Sequence, residues 1–242
     1  MKLLVLDIET APATALVWGI HEQHLGPHQI VEPVRILCFA AKFVGDRTMH
    51  FASEHATGKE QMLADLWALL DVADAVIHYN GKRFDIPHIN REFLLAGTQP
   101  PSPYAQIDLY HTVRSQFKFM SNKLDEMCKA VGIGAKQGHE GFGLWKSCLA
   151  GDDKAWGRME RYNKQDVRIT EALYERLLPW IKTHPNVSLV DRKVHACPKC
   201  GSLDLTKRGQ AYTRVSVFQQ WQCTSCSSYS RSGKRERGSD LR

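Results

Sequence analysis

The sequence predicts an α/β protein in which helices flank one central mixed sheet, followed by a small β-rich module. Apolar runs typical of strands come early in the chain, and helical periodicity dominates later. In the region between them, the two patterns alternate. The last fifth differs in charge, since residues 192–242 hold 11 Lys and Arg against 3 Asp and Glu, whereas residues 1–191 hold 21 against 23. Such asymmetry predicts a polyanion-binding appendage on a near-neutral body.

The elements of the body follow from hydrophobic periodicity and from helix boundary signals. Asp152 is a typical N-cap residue, so the last long helix is expected to begin there and to run to about Leu178. The apolar run over residues 3–8 indicates a strand buried on both faces at the centre of the sheet. The predicted strands are 2–8, 34–44, 48–52, 73–79 and 106–109, and the predicted helices are 58–72, 86–96 and a largely helical region over 111–184.

Composition divides the chain further. Residues 1–182 are expected to form the body, 183–193 a polar linker, 194–230 the β-rich module, and 231–242 a basic disordered tail. With 43% hydrophobic and 24% charged residues, the chain is neither collagen-like, a coiled coil nor globally disordered. No apolar run reaches the roughly 18 residues of a membrane helix, and no signal peptide is recognisable. We therefore expect a cytoplasmic protein with no membrane partner. Association with the nucleoid and a viral origin are both compatible with this expectation.

The first strand carries two carboxylates at its end. Asp7 and Glu9 lie two residues apart, so their side chains project from the same face of the strand. Two carboxylates on a buried strand repel each other and lose hydration, and a divalent cation offsets both costs. For an isolated Asp-x-Glu pair, a solvated strand end is the ordinary alternative.

Two later segments carry one carboxylate each. Asp85 ends the segment YNGKRFD, where a strand passes through a Gly-containing turn into a helix. Tyr162 and Asp166 are four residues apart in the segment YNKQD, so they share one face of a helix and lie on its apolar stripe. A charge on that stripe is costly unless it is paired or bound to a metal. Taken singly, an N-cap aspartate and a Tyr–Asp hydrogen bond are the ordinary alternatives.

Together these segments resemble the three motifs of the DEDD superfamily of 3′–5′ exonucleases. DIET, which begins at Asp7, is similar to the first motif, YNGKRFDIP to the second and YNKQD to the third, which indicates the tyrosine branch. The histidine branch has His five residues before the last aspartate, where this chain has Arg161. The second motif is especially similar to the proofreading exonuclease domains of family-B DNA polymerases and to their stand-alone relatives. The resemblance covers about residues 1–180 and implies a ribonuclease H-like fold.

The resemblance also implies a role for each catalytic residue. Four carboxylates would ligate two Mg²⁺ or Mn²⁺ ions for two-metal phosphodiester hydrolysis, with the first carboxylate shared between the ions. Tyr162 would orient the attacking water by hydrogen bonding rather than act as a full general base. The implied ligands are Asp7, Glu9, Asp85 and Asp166.

Three more residues are implied to contact the substrate. Thr10 would bind the 3′ end through its backbone, and Asn80 would form a hydrogen bond to the terminal nucleotides. Phe84 would pack against a base or sugar, which suits sequence-tolerant binding because every base has a π-face. Asp108 also resembles a family position, with a purely structural role as the alternative.

Four cysteines in the C-terminal module have the spacing of a zinc site. The pairs Cys197-x₂-Cys200 and Cys223-x₂-Cys226 are 22 residues apart, and residues 212–223 alternate like a strand. The segment resembles a Cys₄ zinc ribbon that binds one structural Zn²⁺, with an iron–sulfur cluster or a redox pair as alternatives. Basic and aromatic side chains are interleaved around it, which favours nucleic-acid binding, with protein docking as the alternative.

The sequence therefore predicts a stand-alone, metal-dependent 3′–5′ exodeoxyribonuclease. It would release nucleoside 5′-monophosphates from single-stranded or frayed 3′ ends, with the zinc ribbon aiding binding. The alternatives are a 3′–5′ exoribonuclease, since the tyrosine branch includes tRNA-trimming enzymes, and a non-catalytic nucleic-acid-binding or polymerase-associated module. DNA is the expected partner because YNGKRFD resembles the motif of the family-B proofreading exonucleases. RNA is the second candidate partner, and a replication or repair protein is a third.

Overall fold

The computed structural model describes residues 1–19, 21, 24–134, 141–190 and 195–241. Within these residues, no helix is long and apolar enough to cross a membrane. The strands are β1 (Leu3–Ala11), β2 (Thr14–Ala15), β3 (Ile30–Glu32), β4 (Arg35–Phe43), β5 (His50–Ser53), β6 (Ala75–His78), β7 (Ala105–Asp108), β8 (Leu205–Tyr212), β9 (Ser216–Cys223) and β10 (Tyr229–Gly238). The α-helices are α1 (Glu54–Thr57), α2 (Lys59–Asp71), α3 (Asp85–Leu95), α4 (Leu109–Gln116), α5 (Leu124–Ala130), α6 (Phe142–Leu149) and α7 (Asp153–Leu177).

A five-stranded mixed sheet forms the centre of the body, in the order β5-β4-β1-β6-β7. β1 runs antiparallel to β4 and parallel to β6, and β6 runs parallel to β7. β1 is thus the central strand, and it is buried along most of its length, as its continuous apolar run predicts. The central mixed sheet with flanking helices confirms the predicted fold class.

Alternate residues of β1 face two different layers of helices. Leu4 and Leu6 belong to a core cluster that includes residues of α2 and α3. Leu3 and Val5 belong to the cluster on the other side of the sheet, which includes Leu173 of α7. Because side chains of a strand alternate between its faces, the next odd-numbered positions of β1 face the α7 layer.

α7 is the long helix that the sequence predicts after Asp152. The Asp152 carboxylate accepts a hydrogen bond from the backbone N–H of Lys154 at 2.9 Å, which caps the helix as expected. The helix has 25 residues, and its buried stripe includes Tyr162, Asp166 and Leu173. It packs along β1 and β4, so a single rigid element carries the third motif to the central strand.

The C-terminal module is a three-stranded antiparallel sheet in the order β10-β9-β8. A turn divides residues 212–223 into two strands, and in it the Thr213 N–H donates to the carbonyl of Ser216 at 2.9 Å. Residues 229–238 form β10 along β9, whereas the sequence predicts a disordered tail from residue 231. Composition indicated disorder because the segment has little apolar surface to bury, but cross-strand hydrogen bonding to β9 orders its backbone. Residues 191–194, at the predicted linker boundary, and residue 242 lie outside the described residues.

Candidate active site and cysteine cluster

Three carboxylates from two elements meet at the end of the central strand. Asp7 and Glu9 occupy the face of β1 that α7 covers, and Asp166 lies on the buried stripe of α7. One carboxylate oxygen from each comes within 4.8 Å of the other two. Asp166 is only 1% exposed, and Asp7 and Glu9 are partly buried. Three negative charges this close repel one another, and a divalent cation that prefers oxygen ligands offsets the repulsion, so the cluster can hold metal.

Asp85 is the first residue of α3 and lies against the same strand. It is 4% exposed, and its Oδ1 accepts a hydrogen bond from the Ile8 N–H at 3.2 Å, between the positions of Asp7 and Glu9. It lies outside the 4.8 Å cluster of the other three carboxylates. Burial raises the pKa of Asp85 to about 7, against the lowering effect of the Ile8 N–H and with a smaller rise from Asp108. A carboxyl in these surroundings ionises more readily when a cation is bound beside it.

Asn163 is a site residue that the sequence analysis missed. It is fully buried on α7, and its Nδ2 donates to Asp7 Oδ2 at 2.7 Å and to the Asp7 carbonyl at 3.3 Å. These bonds fix the orientation of the Asp7 carboxylate, as outer hydrogen bonds commonly do for metal ligands. The only signal in the sequence is an amide that directly follows Tyr162 in YNKQD.

Tyr162 packs against an aromatic residue of α6. Tyr162 is 8% exposed and lies one turn before Asp166. The ring of Trp145 meets it edge-on, with the ring centres 6.1 Å apart and the planes at 74°. The Trp145 Nε1–H also donates to the Thr10 carbonyl at 3.1 Å, so one side chain positions both the tyrosine and the end of β1. No local pattern predicts a contact between residues 135 positions apart.

Two of the three predicted substrate contacts share one cavity. Thr10 and Phe84 line a cavity of about 470 Å³, and Phe142 and Trp145 of α6 also line it. Phe84 is 40% exposed, and its ring lies edge-on to His88 with the centres 4.8 Å apart. An exposed aromatic ring beside an apolar cavity is suited to packing against a base or sugar.

Asn80, the third predicted contact, lines a different cavity at the ends of β6 and β7. Its backbone is left-handed, with φ of 66°, which Asn adopts more readily than most residues. The Asn80 N–H donates to Asp108 Oδ1 at 3.0 Å, and the Lys82 N–H donates to Asp108 Oδ2 at 3.3 Å. Asp108 also caps α4 through the Tyr110 N–H at 3.0 Å. These bonds hold the turn after β6 in place and support the structural alternative for Asp108.

The four cysteines of the module form a compact cluster. Their Sγ atoms all lie within 4.8 Å of one another, with Cys197 to Cys226 and Cys200 to Cys223 at 3.6 Å. Four thiolates about 2.3 Å from a tetrahedral zinc lie about 3.8 Å apart, so the cluster has the dimensions of a zinc site. Burial opposes ionisation of Cys223, but the N–H groups of Cys226 and Ser225 lower its pKa to about 7. The cluster can therefore hold one zinc ion.

The first cysteine pair contacts the end of α7. Lys199, which lies inside that pair, donates from its ammonium to the carbonyls of Leu178 at 2.9 Å and Pro179 at 2.8 Å. These carbonyls lie in the turn that directly follows α7, where a cation interacts favourably with the helix dipole. The Val187 N–H adds a hydrogen bond to the Pro198 carbonyl at 2.8 Å. The module is therefore joined to the helix that carries Tyr162.

Among solved structures, the fold is similar to that of the family B DNA polymerase from the hyperthermophilic archaeon Pyrobaculum calidifontis. The TM-score is 0.56, and the alignment covers 88% of this chain and 31% of the polymerase chain, at 17% identity. At this identity the similarity shows the fold alone, and this chain spans about a third of the length of that polymerase. Among curated proteins, comparison finds no match.

A protein-family model gives the family. The RNase_H_2 model, which describes the RNase_H superfamily, matches residues 33–178. The matched residues include Asp85, Tyr162 and Asp166, and they begin after Asp7 and Glu9. The match covers more than half of the chain and agrees with the mixed sheet and its flanking helices. The chain therefore belongs to the RNase H superfamily.

Proposed function

We propose that this protein is a metal-dependent 3′–5′ exonuclease that hydrolyses DNA from single-stranded 3′ ends and releases nucleoside 5′-monophosphates. The observation that carries the proposal is the meeting of Asp7, Glu9 and Asp166, with one oxygen of each within 4.8 Å of the others. Membership of the RNase H superfamily supports phosphodiester hydrolysis. A module that only binds nucleic acid would have no use for such a cluster, because its mutual repulsion costs stability.

The donor set suits Mg²⁺ or Mn²⁺, because it consists of hard carboxylate oxygens. Asp7, Glu9 and Asp166 would hold one ion, and Asp85 with Asp7 would hold a second. The chemistry that such a pair supplies is activation of a water and stabilisation of the charge on the leaving 3′ oxygen. Asp85 is buried against β1, where its ionised form needs a nearby positive charge.

The remaining residues of the site would bind and orient. The Tyr162 hydroxyl would hydrogen-bond the attacking water, and packing from α6 limits the motion of its ring. Asn163 holds the carboxylate of Asp7 in one orientation. Thr10 and Phe84 would receive the terminal nucleotide in their shared cavity, where the base or sugar packs against the exposed ring.

DNA is favoured over RNA by two observations. The motif YNGKRFD resembles the second motif of family-B proofreading exonucleases, and a DNA polymerase has a similar fold. Polymerase activity does not follow, because the chain corresponds to 31% of the polymerase chain. A protein distinguishes the two nucleic acids through the 2′-hydroxyl, so the substrate preference is open to direct measurement.

We also propose that the C-terminal module holds the nucleic acid. The Arg231 guanidinium lies 3.9 Å from the centre of the Phe218 ring, and the Lys207 ammonium lies 5.8 Å from that of Trp221. Arg235 stands opposite Phe218 on the neighbouring strand. Cations held over aromatic rings can contact phosphates while exposed parts of the rings stack with bases. One structural Zn²⁺ in the cysteine cluster would keep this small sheet folded.

Labelled oligonucleotides test the proposed activity. The intact chain is incubated with 3′- or 5′-labelled single-stranded DNA and RNA in the presence of Mg²⁺ or Mn²⁺. We expect a ladder from 5′-labelled DNA, immediate release of mononucleotide from 3′-labelled DNA, and no cleavage in EDTA. Cleavage of RNA but not of DNA would show that the substrate is RNA. The absence of products from either nucleic acid with either ion would contradict the proposal.

A further inference from the structure

A basic cleft lies beside the carboxylate site, and the proposed function does not yet account for it. Lys82 and Arg83 contribute from the turn after β6, and His111 and Arg114 contribute from α4. These four residues define the basic cleft, whose volume is about 460 Å³. Among the described residues that line it, Asp108 is the acidic one.

The cations of the basic cleft are not held in direct ion pairs by the carboxylates of the described residues. Within the described part of the chain, Lys82, Arg83 and Arg114 form no ion pair. Asp108 is 8% exposed, and its oxygens accept hydrogen bonds from four backbone N–H groups of the surrounding turns. Because the body as a whole is nearly neutral, this local excess of positive charge attracts an anion.

The register of the sheet places the basic cleft next to the carboxylates. Val5 of β1 pairs with Ile77 of β6, and Ile77 pairs with Ile107 of β7. The three strands are parallel, so their carboxyl ends lie at one edge, where Asp7 follows Val5 by two residues. Neighbouring strands are about 4.8 Å apart, so the cleft begins roughly 5–10 Å to the side of β1.

The same rigid turn carries cations of the cleft and residues of the active site. The N–H groups of Arg83 and Phe84 donate to the Asn80 carbonyl at 3.1 and 3.2 Å, which closes the turn. Asp85 follows directly, so the position of the two cations is tied to that of the buried carboxylate. On α4, the Arg114 guanidinium lies 5.7 Å from the centre of the Tyr110 ring. The cleft is therefore largely formed before any ligand binds.

We propose that the basic cleft binds the phosphates of the DNA strand on the 5′ side of its terminal nucleotide. This inference rests on the proposed function, because it names the part of the substrate that the same site receives beyond the scissile bond. Phe84 faces an apolar cavity suited to a base or sugar, whereas Lys82 and Arg83, earlier in the same turn, face the basic cleft. Lys and Arg contacts to phosphates supply sequence-independent affinity and fix the register of the strand.

A double substitution with a matched control tests the proposal. Lys82→Gln/Arg114→Gln removes two exposed charges of the cleft. Lys2→Gln/Arg47→Gln removes two exposed charges at the other end of the sheet, before β1 and in the turn between β4 and β5. All four side chains are exposed, so thermal unfolding of both variants should match that of the wild type.

The readout is the steady-state KM for a short single-stranded DNA at several salt concentrations. The cleft variant should raise KM about tenfold and lower the slope of log KM against log salt by about 1.4, because each phosphate contact to a single strand contributes about 0.7. The control variant should keep the wild-type KM and slope. Neutral methylphosphonates at the linkages on the 5′ side of the scissile bond should raise the wild-type KM similarly, with little further rise in the cleft variant.

Two results would contradict a proposal, and each would contradict a different one. An active cleft variant with the wild-type KM and salt slope would overturn the role of the basic cleft and leave the proposed function intact. Failure of the wild-type chain to cleave any DNA would contradict the proposed function and, with it, this inference.

Discussion

The protein carries two clusters of side chains that can hold a metal, and they are built in opposite ways. The carboxylates come from β1 and α7, which are far apart in sequence and are joined by the hydrophobic core of the body. The cysteines come from two tight turns in a module with almost no core. Among the described residues of 195–241, only Cys197, Cys223 and Ser228 are buried.

This difference indicates what each metal would do. The core holds the carboxylates together before any cation binds, and it tolerates their repulsion, so a bound ion would serve chemistry more than folding. In a small module without a core, the free energy of metal binding supplies much of the folding free energy. The two clusters should therefore respond differently when a ligand residue or the metal is removed.

The largest effect on activity is expected from substitution of a carboxylate. Asp7→Asn or Asp166→Asn should lower kcat by about a thousandfold or more, because losing a ligand removes several kcal/mol of transition-state stabilisation. The unfolding temperature should stay the same or rise, since one of three repelling charges is gone. Asp46→Asn, at an exposed turn position, should change neither quantity. Near-normal kcat in Asp7→Asn or Asp166→Asn would refute the assignment of the metal site.

Substitution of a cysteine should have the opposite effect, on folding of the module rather than on catalysis. Cys223→Ser should abolish amide protection of β8, β9 and β10 in hydrogen exchange, because binding of a structural zinc contributes about 10–16 kcal/mol in small zinc modules. β1 and β4 should remain protected, since nearly all of the residues that bury them belong to the body. Removing Mg²⁺ or Mn²⁺ should leave the amide protection of the module and that of β1 and β4 unchanged. Equal protection of the module in Cys223→Ser and wild type would show that the module folds without a metal bound by Cys223.

A smaller effect is expected at Tyr162. Tyr162→Phe should lower kcat by about a hundredfold, because it removes the hydroxyl that we propose orients the attacking water. The ring remains, so its edge-on contact with Trp145 and the fold should persist. The Mn²⁺ concentration for half-maximal activity should not change, since the carboxylates are intact. An unchanged kcat would show that the hydroxyl does not act on the water.

Asn163→Ala should separate metal binding from the later chemistry. Loss of the hydrogen bond to Asp7 frees that carboxylate to rotate, which should raise the Mn²⁺ concentration for half-maximal activity about tenfold. At saturating Mn²⁺, kcat should recover most of its wild-type value, unlike that of Tyr162→Phe. A wild-type Mn²⁺ dependence would indicate that Asp7 needs no support from α7.

The smallest effect concerns the joint between the two regions. Lys199→Met should destabilise the contact between the module and α7 by about 1–2 kcal/mol, because two hydrogen bonds from a charged donor are lost. Differential scanning calorimetry should show the corresponding shift, about 2–8 °C for a body of this size. Lys199→Arg keeps a donor within reach of the carbonyls, so its unfolding temperature should fall by less. Equal unfolding temperatures for Lys199→Met and wild type would show that this joint carries no stability.

The sequence predicts the features of the site that arise from local patterns. The continuous apolar run of β1 and its alternation place Asp7 and Glu9 on one face, and both conclusions depend on neighbouring residues alone. The N-cap Asp152 and the apolar stripe of α7 likewise predict the helix and the inward direction of Asp166. The cysteine spacing predicts the four-thiol cluster because each pair closes within one turn.

Contacts that depend on the packing of distant elements could not be predicted. The hydrogen bond from Trp145 to the Thr10 carbonyl requires α6 to lie beside the end of β1, which no periodicity shows. β10 is ordered because it pairs with the edge of β9. The composition of the segment contains no information about this pairing, so composition alone indicated disorder. The basic cleft likewise depends on the adjacency of β6 and β7, which brings Lys82 close to Arg114.

Anomalous scattering from crystals soaked in Mn²⁺ tests the central claim most directly, because it locates each metal. We expect a manganese peak within reach of Asp7, Glu9 and Asp166, a second toward Asp85, and a zinc peak among the four cysteine Sγ atoms. The absence of manganese at the three clustered carboxylates would contradict that claim.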